Sequence, residues 1–183
     1  LVDTRKGQPK NVTYEIEWVD IKNPDPSNAW SDSLALGNQG RENGAMTFGR
    51  LEGAWYAEGA IFLNSTDGGD EGLGQVWRYT PMGESRGELT LLFESPSADV
   101  LDAPDNLCVS PQGSLVICED GDDTQYVRGL NKDGLIFDFA LNVLNGSEFC
   151  GATFSPDGRT LFVNIQTPGI TLAIWGPWER GAF

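Results

Sequence analysis

The chain has 183 residues, 39% of them hydrophobic, with 23 Gly and 10 Pro, enough apolar material for one sizeable core and too much for a disordered segment. With 27 acidic against 12 basic residues the net charge is −15, which argues against nucleic acid and anionic membranes as partners. There is no His, so an imidazole-based triad, His-ligated zinc and imidazole acid–base chemistry are excluded within this chain.

The opening Leu1-Val2-Asp3-Thr4 shows neither an initiator Met nor a signal-peptide pattern and reads as a mature or truncated piece. No apolar run approaches the ~18 residues of a membrane span. Val12 to Ile21 alternates, with Val12, Tyr14, Ile16 and Trp18 on one side, which predicts a half-buried strand, expected as the outer strand of a preceding sheet. Lys22 to Thr47, punctuated by Asn23-Pro24-Asp25-Pro26, Gly37, Gly40 and Gly44, reads as a long loop with a helical turn near Ser31 to Leu36. Loops of this length in compact domains usually lie over a site.

From Arg50 the pattern becomes regular. Trp55 to Ala57, Ala60 to Asn64, Gln75 to Tyr79 and Glu88 to Phe93 read as four strands with polar turns between most of them. Asn106 to Val109, Ser114 to Cys118, Gln125 to Arg128 and Leu135 to Phe139 repeat the scheme. A third unit opens at Ala152-Thr153-Phe154, turns at Ser155-Pro156-Asp157-Gly158, and continues through Thr160 to Asn164 and Thr171 to Trp175. Glu52, Asp105 and Cys150 fall at a shared register, at intervals of roughly 50 residues, the spacing of β-propeller blades. The fold expected is therefore all-β: a partial β-propeller filling residues 1–183. Its three four-stranded blades lie at about 50–95, 105–140 and 150–178, with the strand and long loop of 1–49 ahead of them. Propellers close with about four to eight blades, so further blades are expected from another part of a longer chain or from another subunit.

Arg50 and Glu52, two residues apart at a strand opening, project to one side of an extended chain. The plain alternative is a surface ion pair at a sheet edge. Asp105 recurs at the same blade position as Glu52. Strand openings lie near the central channel of a propeller, so Glu52 and Asp105 could converge there. Adjacent carboxylates suit hard cations such as Ca²⁺, and arginine suits phosphate. Glu119-Asp120-Gly121-Asp122-Asp123 lacks the alternation and terminal Glu of an EF-hand and reads as a solvated acidic loop, with Glu119 and Asp120 the residues to test. Asp67, Asp70 and Asp157 read as turn formers. Cys108, Cys118 and Cys150 are odd in number and lack a CxxC spacing. Buried free thiols are expected, although Cys108 and Cys118 lie in neighbouring runs and their pairing cannot be read from spacing. Asn11-Val12-Thr13, Asn64-Ser65-Thr66 and Asn145-Gly146-Ser147 are glycosylation sequons if the source glycosylates.

Phe48-Gly49-Arg50-Leu51-Glu52-Gly53, Pro104-Asp105-Asn106-Leu107, and the run from Ser147 to Gly169 with Asn164-Ile165-Gln166-Thr167-Pro168-Gly169 after its Ser-Pro-Asp-Gly turn resemble the C-terminal half of PhoX-type alkaline phosphatases. The resemblance extends from about Val12 to Trp178. It implies an exported, periplasmic or extracellular phosphomonoesterase on a six-bladed propeller with calcium (Ca²⁺) and iron (Fe³⁺) at the channel mouth. By the same resemblance Arg50 contacts phosphate and acts with Glu52 in catalysis, and Glu52 bridges metals. Asp105, with Asn106 beside it, is the next metal candidate, and Glu148, two residues ahead of the shared register, is a weaker one. The family's cysteine ligand and several of its glutamate ligands belong to the other half, and none of the three cysteines here sits where that ligand is expected. The alternatives are a calcium-dependent lactonase or esterase propeller, or a non-catalytic propeller module that binds a partner.

Overall fold

The computed structural model describes residues 2–183; Leu1, the first residue of the expected cut end, lies outside them. Among the described residues, twelve strands form three antiparallel sheets. The first contains β1 (Thr13–Glu17), β2 (Leu51–Ala57), β3 (Ala60–Ser65), β4 (Gln75–Pro81) and β5 (Arg86–Glu94) in the order β1-β5-β4-β3-β2. The second runs β6 (Pro104–Val109), β7 (Leu115–Glu119), β8 (Tyr126–Leu130) and β9 (Ile136–Leu141). The third has three strands, β10 (Phe149–Phe154), β11 (Thr160–Ile165) and β12 (Ile170–Trp175).

Three expectations change. The blades are not uniformly four-stranded: among the described residues the first sheet has five strands and the third three, because no further strand pairs with β12. The alternating N-terminal strand pairs with β5, Thr13 opposite Thr90 and Tyr14 opposite Leu89, and so forms the fifth, outer strand of the first sheet rather than part of a preceding one. Its inward residues Tyr14 and Ile16 pack with Phe48 and Met46 over Trp77, Tyr79, Leu89 and Leu91. The helix of the long loop, α1, spans Ala35–Glu42, later and longer than the expected turn. Gly37 and Gly40 disguise it in sequence because glycine disfavours helix, although Gly40 is buried beside Ala45 and Ile21 with space for a Cβ in ordinary contact.

Two layers of apolar side chains weld the sheets together. Val76 and Phe93 of the first meet Leu107, Leu115, Ile117 and Leu130 of the second; Cys108, Val116, Cys118 and Val127 meet Leu161, Val163 and Ile165 of the third. Trp77, wholly buried with Phe48 edge-on at 5.7 Å, anchors the outer face of the first sheet, and truncating such a side chain typically costs about 3–5 kcal/mol. The three thiols are unpaired; burial pushes Cys108 up to about 12 and Cys118 higher still, so both act as small hydrophobes.

The strands β2, β6 and β10 stand side by side as the inner edges of the sheets. Gly53 shows how closely β2 approaches β6: a Cβ there would lie 2.4 Å from the Asp105 carbonyl oxygen.

Candidate functional site at the inner strand openings

Each inner strand begins with the same construction. Leu51, Pro104 and Phe149 are the first paired residues, opposite Ser65, Glu119 and Ile165. The residues just before them, Arg50, Ala103 and Glu148, each accept a hydrogen bond at the carbonyl, from the amides of Thr66 (2.8 Å), Asp120 (2.9 Å) and Gln166 (3.1 Å). Glu148 is thus the third-sheet counterpart of Arg50, and Cys150 the counterpart of Glu52 and Asp105. Register then slips in every pair, between Leu51 and Ala54, Pro104 and Asn106, and Cys150 and Thr153. Such bulges re-aim side chains and are frequent beside active sites. Arg50 and Ala103 also adopt positive φ, 43° and 48°, a conformation rare for residues with a Cβ and maintained only where the surroundings enforce it.

The outcome is one charge cluster at the rim. The Arg50 guanidinium lies 3.4 Å from Glu52 and 3.9 Å from Asp120, with all three side chains partly open to solvent. Burial, then repulsion from Glu52 and Asp120, raises Asp105 above its ordinary range against the pull of Arg50. Burial, then Asp120 and Asp105, pushes Glu148 up to about 7 against the pull of Arg50. Burial, Glu148 and Asp105 likewise raise the Cys150 thiol. Four carboxylates therefore share a single arginine.

Not every candidate faces this rim. Glu119 is fully buried at the end of β7. Its carboxylate accepts from the Asp102 amide (2.9 Å), the Tyr126 amide (3.1 Å) and Arg128 Nε (2.8 Å), so it is no part of a solvated loop and has no oxygen turned to the rim. Asn106 is a strut: Nδ2 donates to Asp105 Oδ2 at 2.9 Å, and Oδ1 accepts from the Gly151 amide at 2.6 Å, tying β6 to β10. Two further struts carry no local sequence signal. Thr66 Oγ1 donates to the Pro104 carbonyl at 2.9 Å and Asn64 Nδ2 to the Asp105 carbonyl at 3.3 Å. Both lie in a sequon, and Asn64 is fully buried, which closes that sequon to glycan attachment in the folded chain. Asp157 is the turn residue expected, accepting from Ser155 Oγ and the Arg159 amide.

Among the described residues no three Cys, Asp or Glu side chains surround a common point tightly enough to hold an ion as placed. The donor chemistry nonetheless suits a hard cation: carboxylate oxygens in excess of positive charge, plus Asn64 Oδ1, buried without a partner, on an amide adjoining Asp105.

An acid whose folded pKa is raised stabilises the fold least when ionised, so stability declines as pH rises from the ordinary carboxyl range through the raised value. Glu148 does this between about 4.5 and about 7. Asp105, raised by burial and by the carboxylates around it, reinforces the trend, and the Arg50 charge opposes it. With no His in the chain, nothing of that kind offsets it. In chelator, Tm should be lower at pH 8 than at pH 5, and added Ca²⁺ should recover the loss at pH 8. A flat or rising Tm would contradict the crowding of carboxylates described here.

Residues 3–169 match the family described as alkaline phosphatase PhoX. Among solved structures, Pseudomonas fluorescens PhoX in complex with vanadate, a transition state analogue, superposes with a TM-score of 0.67 at 21% identity, covering 96% of this chain and 38% of that one. Virginiamycin B lyase from Staphylococcus aureus (TM-score 0.44, 15% identity, 69% of this chain and 41% of that one) and a streptogramin B lyase (0.44, 15%, 90% and 45%) follow at much lower similarity. No curated protein matches. The chain thus spans well under half the length of the PhoX structure it resembles, and the three sheets are blades of a β-propeller. Its residues 3–169 establish that this chain belongs to the PhoX alkaline phosphatase family.

Proposed function

We propose that this chain supplies part of the active site of a metal-dependent alkaline phosphatase, which hydrolyses phosphomonoesters to inorganic phosphate at a calcium- and iron-containing cluster in a six-bladed propeller channel. The observation that carries the reading is the convergence of Arg50 with Glu52, Asp105, Asp120 and Glu148 at the rim, in a chain of this family. Glu52, Asp105, Asp120 and Glu148 would hold the cations, which when bound would neutralise phosphoryl oxygens and polarise the phosphorus centre. Arg50 presents a planar fork suited to two oxygens of one phosphate. Its ion pairs with Glu52 and Asp120 are long and partly exposed, so a phosphate can replace them at small cost. Asn106 keeps the Asp105 carboxylate from swinging. The remaining blades, and the rest of the ligand set, would come from another part of a longer chain or from another subunit, in a protein working in the periplasm or outside the cell.

Steady-state assays of the assembled protein on a phosphomonoester and on a lactone, each with Ca²⁺ or chelator, test the reading. Calcium-dependent phosphate release is expected. Turnover of the lactone alone would replace it with a lactonase, and turnover of neither, with no calcium uptake, with a binding module.

A further inference from the structure

We propose that Glu119, gripped by Arg128, is a positioning residue that fixes Asp105 and Asp120 at the rim; the inference rests on the phosphatase reading above. Glu119 joins the two ends of the segment that matters. One oxygen accepts from the amide of Asp102, three residues before Asp105, and the other from the amide of Tyr126, beyond the acidic loop that Asp120 begins. Between them, Ala103 is held in its left-handed conformation, its amide donating to the Leu73 carbonyl and its own carbonyl accepting from Asp120. Arg128 keeps the Glu119 carboxylate in place through Nε, stacks on the Tyr126 ring at 3.9 Å, and reaches Asp138 on β9 through Nη1. A continuous line of charge-assisted contacts thus runs from the outer strand of the second sheet to the opening of its inner strand.

The fold itself does not ask for this pair. The strand pairing puts Glu119 at the position held by Ser65 in the first sheet and Ile165 in the third. Arg128 likewise corresponds to Trp77 and Leu172. Two sheets therefore do without ions at positions where the second buries both, with Glu119 0% and Arg128 2% exposed. Burying an ion pair rarely adds stability over well-packed apolar residues. The ionised pair occurs only in the sheet whose inner strand supplies Asp105 and whose β7–β8 loop supplies Asp120, and its hydrogen bonds end on the backbone flanking them.

The test copies the third sheet into the second: Glu119→Ile with Arg128→Leu. Calcium affinity by calorimetry, Tm and hydrogen exchange at the Asp120 amide are measured on this variant and on the unaltered chain. The expected result is a folded variant with Tm within a few degrees of the unaltered chain, the stranded Asp102 and Tyr126 amides offsetting the removal of two buried charges, calcium binding at least about tenfold weaker, the usual scale for losing an outer support of a metal site, and faster exchange at Asp120. Unchanged calcium affinity overturns the proposal, as does a variant that fails to fold, since the pair would then serve the fold. If the unaltered chain takes up no calcium, the metal reading fails, and exchange at Asp120 decides: faster supports positioning by Glu119, unchanged overturns it.

Discussion

Glu52→Gln is expected to lower phosphomonoester turnover by two orders of magnitude or more, roughly, and to move the calcium requirement to higher concentration, because even outer-shell losses cost about 10–100-fold at metal sites. The substitution keeps the size and one carbonyl oxygen but removes the charge that holds hard cations. The fold should survive. Glu52 is partly open to solvent in a bulge, and its one ion pair, with Arg50 at 3.4 Å, is exposed, worth about 0–1 kcal/mol at most. Gln at this position would even relieve part of the repulsion that raises Asp105. Arg50→Lys should behave differently: calcium binding retained, with phosphate held less well because an ammonium cannot make the two-pronged contact. An ordinary sheet-edge ion pair predicts the reverse, small stability changes and untouched turnover for both variants. Metal content, Tm and turnover decide, and a Glu52→Gln protein with full turnover and full metal content would end the assignment.

The elements that could be read from sequence are those whose signal is local. Asn131 begins a turn because its Oδ1 accepts from the amides of Asp133 and Leu135, and Ser155 to Gly158 closes through Asp157 in the same way. Both are written within a few residues. The blade repeat was legible because Glu52, Asp105 and Cys150 do occupy equivalent places at the strand openings. What stayed hidden is non-local. Alternation in Thr13–Glu17 gives the strand two faces but does not say that its neighbour is β5. The convergence of Glu148 with Asp120 depends on the third inner strand beginning at Phe149, opposite Ile165, which sets Glu148 beside the rim rather than two residues short of it. Glu119 is deceptive in sequence for a related reason. Four acids in five residues look solvated, and nothing in the string reveals that its first member turns inward to meet an arginine nine positions on.

That arginine gives the second large expected effect, for Glu119 changed alone. Glu119→Ala leaves Arg128 buried opposite a cavity, with only Asp138, 63% exposed, to share its charge. It also strands the amides of Asp102 and Tyr126 without their acceptor. Removing one member of a buried ion pair typically costs about 3–5 kcal/mol, and a buried donor left unsatisfied costs about 1–3 kcal/mol, the two not being additive. Burial pushes Glu119 above the ordinary carboxyl range despite Arg128 and the two amides. Burial would lower Arg128, but Glu119 and Asp138 outweigh it and the net direction is upward. The carboxylate is therefore costly to bury and the guanidinium depends on it, and that asymmetry makes the single change worse than the double one. Urea unfolding should show Glu119→Ala destabilised by about 3 kcal/mol or more, a Tm drop of about 10 °C for a chain of this size, while Glu119→Ile with Arg128→Leu, which strands the same two amides but leaves no unpaired buried charge, loses clearly less. The coupling energy of the pair follows once Glu119→Ile and Arg128→Leu are each measured alone beside the double variant. If Glu119→Ala lies within about 1 kcal/mol of the unaltered chain, as surface substitutions do, then Arg128 finds water or another partner in solution and the buried pair described here does not hold β6 to β8.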